Sequence, residues 1–129
     1  MIKIAIDLDN TINGSALSIK FFSMLTNLLS PEHITILTNR EPGTEDQIRE
    51  ELNELGISYS DIVITAEKAD YILQNNIEVF FENEDEYFLS LPESVLVFKI
   101  REDGNFDFSE KGRWIGSRKT VRMIDEREG

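Results

Sequence analysis

The chain of 129 residues contains no cysteine and a single histidine, His33. Without thiols there is no disulfide framework, no thiolate zinc site, no iron–sulfur cluster and no cysteine nucleophile, and one imidazole cannot build a His-rich metal site. Basic residues are scarce as well. Thirteen Lys and Arg stand against 25 Asp and Glu, a formal charge of −12, which excludes a protein that coats a nucleic-acid backbone with a broad basic face. No stretch approaches the ~18 consecutive apolar residues of a membrane helix, and Asp7 interrupts the apolar N-terminal segment where a signal peptide would be unbroken. A soluble, cytoplasmic protein with no membrane partner is the expectation. Its chemistry must rest on carboxylates, hydroxyls, lysine and arginine.

What is present is enough for one core. Hydrophobic residues make up 40% of the chain and charged residues 29%, a globular balance at the length of a single domain. Ile2–Leu8 reads as a buried strand ending in Asp7-Leu-Asp9-Asn-Thr11. After Asn13-Gly14, the residues Leu17, Phe21, Met24, Leu25 and Leu28 recur at helical spacing up to Ser30-Pro31. Ile34–Leu37 is a second strand, followed by Thr38-Asn39-Arg40. Thr44 to Gln47 has capping-box spacing ahead of a helix that carries Ile48, Leu52 and Leu55 inward and stops at Gly56. Asp61–Thr65 is a third strand, residues 66–75 a helix with Ala69, Ile72 and Leu73 inward, and Ile77–Phe81 a fourth strand running into Glu82-Asn-Glu-Asp-Glu86. A short helix from Glu84 to Ser90 and a fifth strand, Val95–Ile100, complete the pattern. Strands alternating with helices at this spacing predict a three-layer, Rossmann-like α/β fold with a parallel sheet and helices on both faces. Residues 1–129 read as one domain, with a core at 1–100 and a C-terminal hairpin and basic tail at 101–129.

The charge is unevenly placed. Residues 1–98 hold 18 acids and 5 bases, whereas 99–129 hold 7 acids and 8 bases. Asp103-Gly104 predicts a hairpin turn between Phe98–Ile100 and Phe106–Phe108. Beyond it lie Trp114 and the bases Lys111, Arg113, Arg118, Lys119, Arg122 and Arg127, a setting in which the indole could stack on a base or sugar. The phenylalanines Phe80, Phe81, Phe88, Phe98, Phe106 and Phe108 read as core and hairpin packing.

In an open parallel sheet, ligands bind at the carboxyl ends of the strands. Asp7, Asp9, Thr11, Thr38, Asn39, Arg40, Lys68 and the Glu82–Glu86 cluster all fall at that edge. Carboxylates gathered this way repel one another unless a hard cation neutralises them, and Mg²⁺ favours a few carboxylate oxygens with waters and a phosphate. The order and placement of these groups resembles the four signature motifs of the haloacid dehalogenase (HAD) superfamily: Asp7-Leu-Asp9-Asn-Thr11 after the first strand, Thr38 after the second, Lys68 before the fourth and acids after it. The resemblance spans residues 1–90. It implies Asp7 as a nucleophile that forms an aspartyl-phosphate, and Asp9 as a general acid and base whose backbone carbonyl faces a Mg²⁺ ion. It further implies Thr38 and Lys68 as phosphate-binding catalytic residues, with Asn39 and Arg40 near the substrate. Thr11 braces the loop. The metal would be held by Asp7, Asp9 and an acid of the fourth motif, which departs from the usual Asp: Glu82 or, four residues on, Glu86, with Asp85 a further alternative. The Asp at position 9 favours phosphoryl transfer over dehalogenation. No stretch long enough for a cap domain lies after the first motif or between Thr38 and Lys68, so the open site suits a large phosphorylated substrate, nucleotides and nucleic-acid ends included, or calls for a lid from the C-terminal segment or another subunit. The expected activity is Mg²⁺-dependent phosphomonoester hydrolysis; the alternative is a phosphate- or partner-binding regulatory module.

Overall fold

A computed structural model describes residues 2–116. Five strands, β1 (Ile4–Ile6), β2 (Ile34–Thr38), β3 (Asp61–Ile64), β4 (Val79–Glu82) and β5 (Leu96–Lys99), form one sheet in the order β3-β2-β1-β4-β5, with every neighbouring pair parallel. Successive strand residues face opposite sides, so a sheet buried on both faces needs apolar runs, and the central strands supply them. Ile4, Ile6, Ile34, Ile36, Val79 and Phe81 face one side, where they pack on Phe22 of helix α1 (Ala16–Leu28) and on Ile48 and Leu52 of α2 (Glu45–Glu54). Ala5, Leu37 and Phe80 face the other, beneath Ile72 of α3 (Lys68–Gln74) and the ring of Tyr87. The result is the expected three-layer α/β arrangement. A second, two-stranded sheet, β6 (Phe106–Asp107) with β7 (Arg113–Trp114), is antiparallel.

The order of the sheet decides where a site can form. Going outward from β1, the chain first builds β2 and β3 on one side and then crosses to β4 and β5 on the other. The connections therefore diverge between β1 and β4, which opens a crevice at their carboxyl ends. Asp7 directly follows β1 and Glu82 ends β4.

Several local expectations change. The apolar stripe of α1 points largely outward. Phe22, not predicted, meets the sheet, with its ring 5.3 Å from that of Phe81, and Thr26 is buried beside it, while Leu17, Phe21, Met24 and Leu28 are exposed. Helical period alone marks an apolar face without saying which edge of it the sheet receives. In α3, Leu73 also turns to solvent. The capping box at Thr44 does not form, because the Thr44 hydroxyl donates to the Glu41 carbonyl at 2.7 Å instead. After Glu84 there is only one 3₁₀ turn, Asp85–Tyr87, in place of a helix to Ser90. Asp103-Gly104 joins β5 to β6 without pairing them, since β5 pairs with β4 and β6 with β7. Phe98 and Phe108 are about half exposed rather than packed away. Arg118, Lys119, Arg122 and Arg127 lie outside the described residues.

Candidate active site

Each polar group at the crevice is set there by a strand end. β1 stops after Ile6, and the Asp7 amide donates to the Phe81 carbonyl at 3.0 Å, which ties the carboxylate to β4. The chain then makes a five-residue helical turn, Leu8–Ile12, broken at Asp9 (φ −71°, ψ 124°) and at Asn10 (φ 60°). Asparagine tolerates this left-handed backbone better than most residues, and the Asn10 backbone amide donates to Asn13 Oδ1 at 2.8 Å. The turn returns Thr11 over Asp7: the Thr11 hydroxyl lies 2.9 Å from Asp7 Oδ2 and 3.2 Å from Asn83 Oδ1, and braces the loop as anticipated.

Lys68, the first residue of α3, is 2% exposed and bridges the crevice. Its ammonium donates to Asp7 Oδ1 at 2.8 Å and to Glu82 Oε1 at 2.5 Å, and sits 4.3 Å from the centre of the Tyr87 ring. Burial works against the charge of Lys68, but the carboxylates of Asp7 and Glu82 outweigh it and raise its pKa. Glu82 is fully buried and accepts from the amides of Asn83 and Glu84 at 2.9 and 3.1 Å. Burial, and then the neighbouring Asp7 charge, push its pKa up to about 8 despite the lysine. Two buried carboxylates thus share one ammonium. With Glu82 ionised, the cluster is one positive charge short.

Thr38, at the end of β2, is 1% exposed, and its Oγ1 is buried with no hydrogen-bond partner. An orphaned hydroxyl costs on the order of 1–3 kcal/mol in a folded protein, so its retention at a pocket wall points to a ligand that completes it. Asp7, Asp9, Thr38, Lys68 and Glu82 all line one hollow of about 150 Å³, which Asn10, Asn39, Asn83, Glu84 and Tyr87 complete. Its donors are hard oxygens with excess negative charge, which suits Mg²⁺ held by Asp7 and Glu82 with the remaining positions left to water or phosphate. Among the described residues no group of three or more His, Asp or Glu side chains is gathered as a metal cluster.

Asp9 lines the hollow, but its carboxylate is already paired. Its carboxylate receives Arg40 in a two-point pair, Nε to Oδ2 at 3.0 Å and Nη2 to Oδ1 at 2.7 Å, while Arg40 Nη1 donates to Glu51 at 2.7 Å. Asn13 bridges the same two acids. The Arg40 hydrogen bonds hold both Asp9 and Glu51 below the usual carboxylate range. The sequence placed Arg40 near substrate; here it is spent on Asp9 and Glu51. Asn39 donates to the Tyr87 hydroxyl at 3.1 Å. Of the alternative fourth-motif acids, Asp85 pairs with Lys99 at 2.6 Å, and Glu86 is not among the residues that line the hollow.

Sequence reasoning placed Asn83 and Glu84 at this edge only as part of the acidic run, with no role of their own, and missed Tyr87, Asn13 and Glu51. Asn83 and Glu84 fall within the acidic run and could have been found from their place after β4. Tyr87 and Glu51 carry no local signal, since only the fold brings Tyr87 to the hollow and Glu51 to Arg40. No family model matches this sequence, and no curated protein or solved structure gives a significant match to the chain.

Proposed function

We propose that the chain is a Mg²⁺-dependent phosphomonoester hydrolase of the HAD type that passes through an aspartyl-phosphate on Asp7. The observation that carries this reading is the Lys68 ammonium clamped between Asp7 and Glu82, with the partnerless Thr38 hydroxyl on the same hollow. When bound, Mg²⁺ would supply the missing positive charge between carboxylates and phosphate. The chain's own groups do the rest. An Asp7 oxygen attacks phosphorus and the bond to the leaving oxygen breaks, with Asp9 giving that oxygen its proton. Asp9, now a carboxylate, takes a proton from water, whose oxygen attacks phosphorus and releases Asp7 and inorganic phosphate. Thr38 and Lys68 hold the phosphoryl oxygens as charge spreads over them. Thr11 and the Phe81 carbonyl hold Asp7 in place throughout.

Only residues 7–15 separate β1 from α1, and α2 with its connections fills the span from β2 to β3. Both observations support a member without a cap.

A second reading is favoured by the Asp9–Arg40 pair: with the acid locked, the domain would bind phosphate or a partner without turnover. The test is hydrolysis of acetyl phosphate and of alkyl phosphomonoesters with and without Mg²⁺. Metal-dependent release of phosphate, abolished in Asp7→Asn, is the expected result. Phosphate binding with no turnover of any ester would favour the second reading and overturn the first.

A further inference from the structure

Beside the phosphate hollow lies a second one of about 270 Å³, and Asn10 lines both. One wall is the start of α1, where Gly14, Ser15 and Ser18 contribute. A Cβ on Gly14 would stand 2.9 Å from the Asn10 carbonyl oxygen, so this wall stays bare of side chain where the two hollows meet. The serine hydroxyls, 3.1 Å apart, provide a polar floor.

The facing wall carries Phe108 and Arg101, together with Ile100 and the acids Glu102 and Asp103. Phe108 is 56% exposed, and Phe106 supports it with ring centres 4.9 Å apart. The Arg101 guanidinium lies 4.8 Å from the centre of Phe106 and 5.1 Å from that of Phe108. Although Glu102 and Asp103 follow it in sequence, Arg101 makes no ion pair with a carboxylate among the described residues. On a chain of net charge −12, a guanidinium that among the described residues is held by rings and not by acids has donors to offer a ligand.

This wall is fastened to the catalytic crevice. Asn105, fully buried, donates to the carbonyls of Asn83 and Ile100 at 3.0 and 2.8 Å and accepts from the Glu102 amide at 2.7 Å. Asn83 in turn donates to Glu102 Oε1 at 3.0 Å and meets Thr11, which touches Asp7. The aromatic wall is therefore in fixed register with the nucleophile.

We infer that the second hollow is the leaving-group subsite and that the leaving group is a nucleoside, its base stacked on Phe108 with Arg101 donating to its ring or ribose oxygens. The inference rests on the reading of the first hollow as a phosphomonoester site. A flat base offers a π face to Phe108 and acceptors to a guanidinium, and its ribose hydroxyls match Ser15 and Ser18. The C-terminal hairpin thereby does for this open site what a cap would do.

The single tryptophan, Trp114, provides a readout that needs no turnover, because its ring centre lies 5.3 Å from that of Phe106. Asp7→Asn protein is titrated with adenosine 5′-monophosphate, ribose 5-phosphate and a 5′-phosphorylated oligonucleotide in Mg²⁺, and Trp114 fluorescence is followed. Adenosine monophosphate should bind at least about tenfold more tightly than ribose 5-phosphate, the order that one base stack contributes. Phe108→Ala and Arg101→Gln should each remove most of that preference, and in active protein Phe108→Ala should raise KM for adenosine monophosphate about tenfold relative to KM for acetyl phosphate. Equal binding of the two monophosphates, or a preference that survives both substitutions, overturns the nucleoside subsite. Preferential nucleotide binding without hydrolysis by the unsubstituted chain would support the subsite and overturn the hydrolase reading instead. If the oligonucleotide binds and turns over better than the mononucleotide, the nucleoside belongs to a strand end.

Discussion

Asp9 and Asp7 are two residues apart, yet they sit in opposite surroundings. Asp7 is 4% exposed and held by Lys68 and Thr11, which keeps a carboxylate aimed into the hollow. Asp9 is half exposed and held by Arg40. A nucleophile benefits from a fixed, ionised oxygen, whereas a general acid must carry a proton when the leaving oxygen departs. The Arg40 hydrogen bonds oppose that proton by lowering the Asp9 pKa. Two results follow from the proposed mechanism. Asp9→Asn should lower kcat for an alkyl phosphate about 10²-fold or more, the usual worth of a positioned acid, but much less for acetyl phosphate, whose leaving carboxylate needs no proton. Arg40→Gln should let the Asp9 pKa rise, so the basic limb of the kcat–pH profile with an alkyl phosphate moves to higher pH. A profile that does not move would show that Arg40 leaves Asp9 before chemistry.

At the scale of elements, α1 separates periodicity from packing. Phe22 is 1% exposed and contacts Phe81, while Leu28 is 76% exposed. Phe22→Ala should cost about 3–5 kcal/mol and Leu28→Gln within about 0.5 kcal/mol, measured by urea unfolding. Comparable losses at the two positions would refute this orientation of the helix. The central strands were legible because a doubly covered sheet requires short apolar runs rich in β-branched or aromatic residues, and Ile4–Ile6, Ile34–Thr38 and Val79–Glu82 are such runs. Asp7, Thr38, Lys68 and Glu82 were legible for a related reason: a residue next to a strand end is carried to a known edge whatever the side-chain details. The outward face of α1, the unformed Thr44 cap and the single turn after Glu84 were not: the face of α1 is chosen by the sheet it packs on, and the Thr44 hydroxyl had a competing local acceptor in the Glu41 carbonyl. Arg40 shows the same limit. Its position was readable, but its partner Glu51 lies a helix away, and nothing local announces a pairing formed only when α2 docks beside the loop after β2.

For the whole molecule, the surplus of negative charge has a buried counterpart with a thermodynamic signature. Glu82 ordinarily titrates at 4.5 and is pushed up to about 8 in the folded chain by burial and by Asp7. Between these values the folded state retains a proton that the unfolded state has released, so stability falls as pH rises through the window. Asp9 and Glu51 behave oppositely: their lowered pKa values give stability that is fully present above the ordinary carboxylate range and lost only in acid, and so add no slope between pH 5.5 and 8. In chelator, Tm should therefore decline from pH 5.5 to pH 8, by on the order of 5 °C, since ~1 kcal/mol moves Tm by a few degrees in a domain of this size. A cation held by Asp7 and Glu82 would favour the ionised form, so saturating Mg²⁺ should raise Tm more at pH 8 than at pH 5.5. Glu82→Gln has no proton to release and should flatten the slope and shrink the Mg²⁺ effect together. Scanning calorimetry on both proteins across this range decides the matter: a Tm in chelator that is level from pH 5.5 to 8, or a Mg²⁺ shift equal at both ends, would mean that the buried carboxylates do not act as the cation's partners.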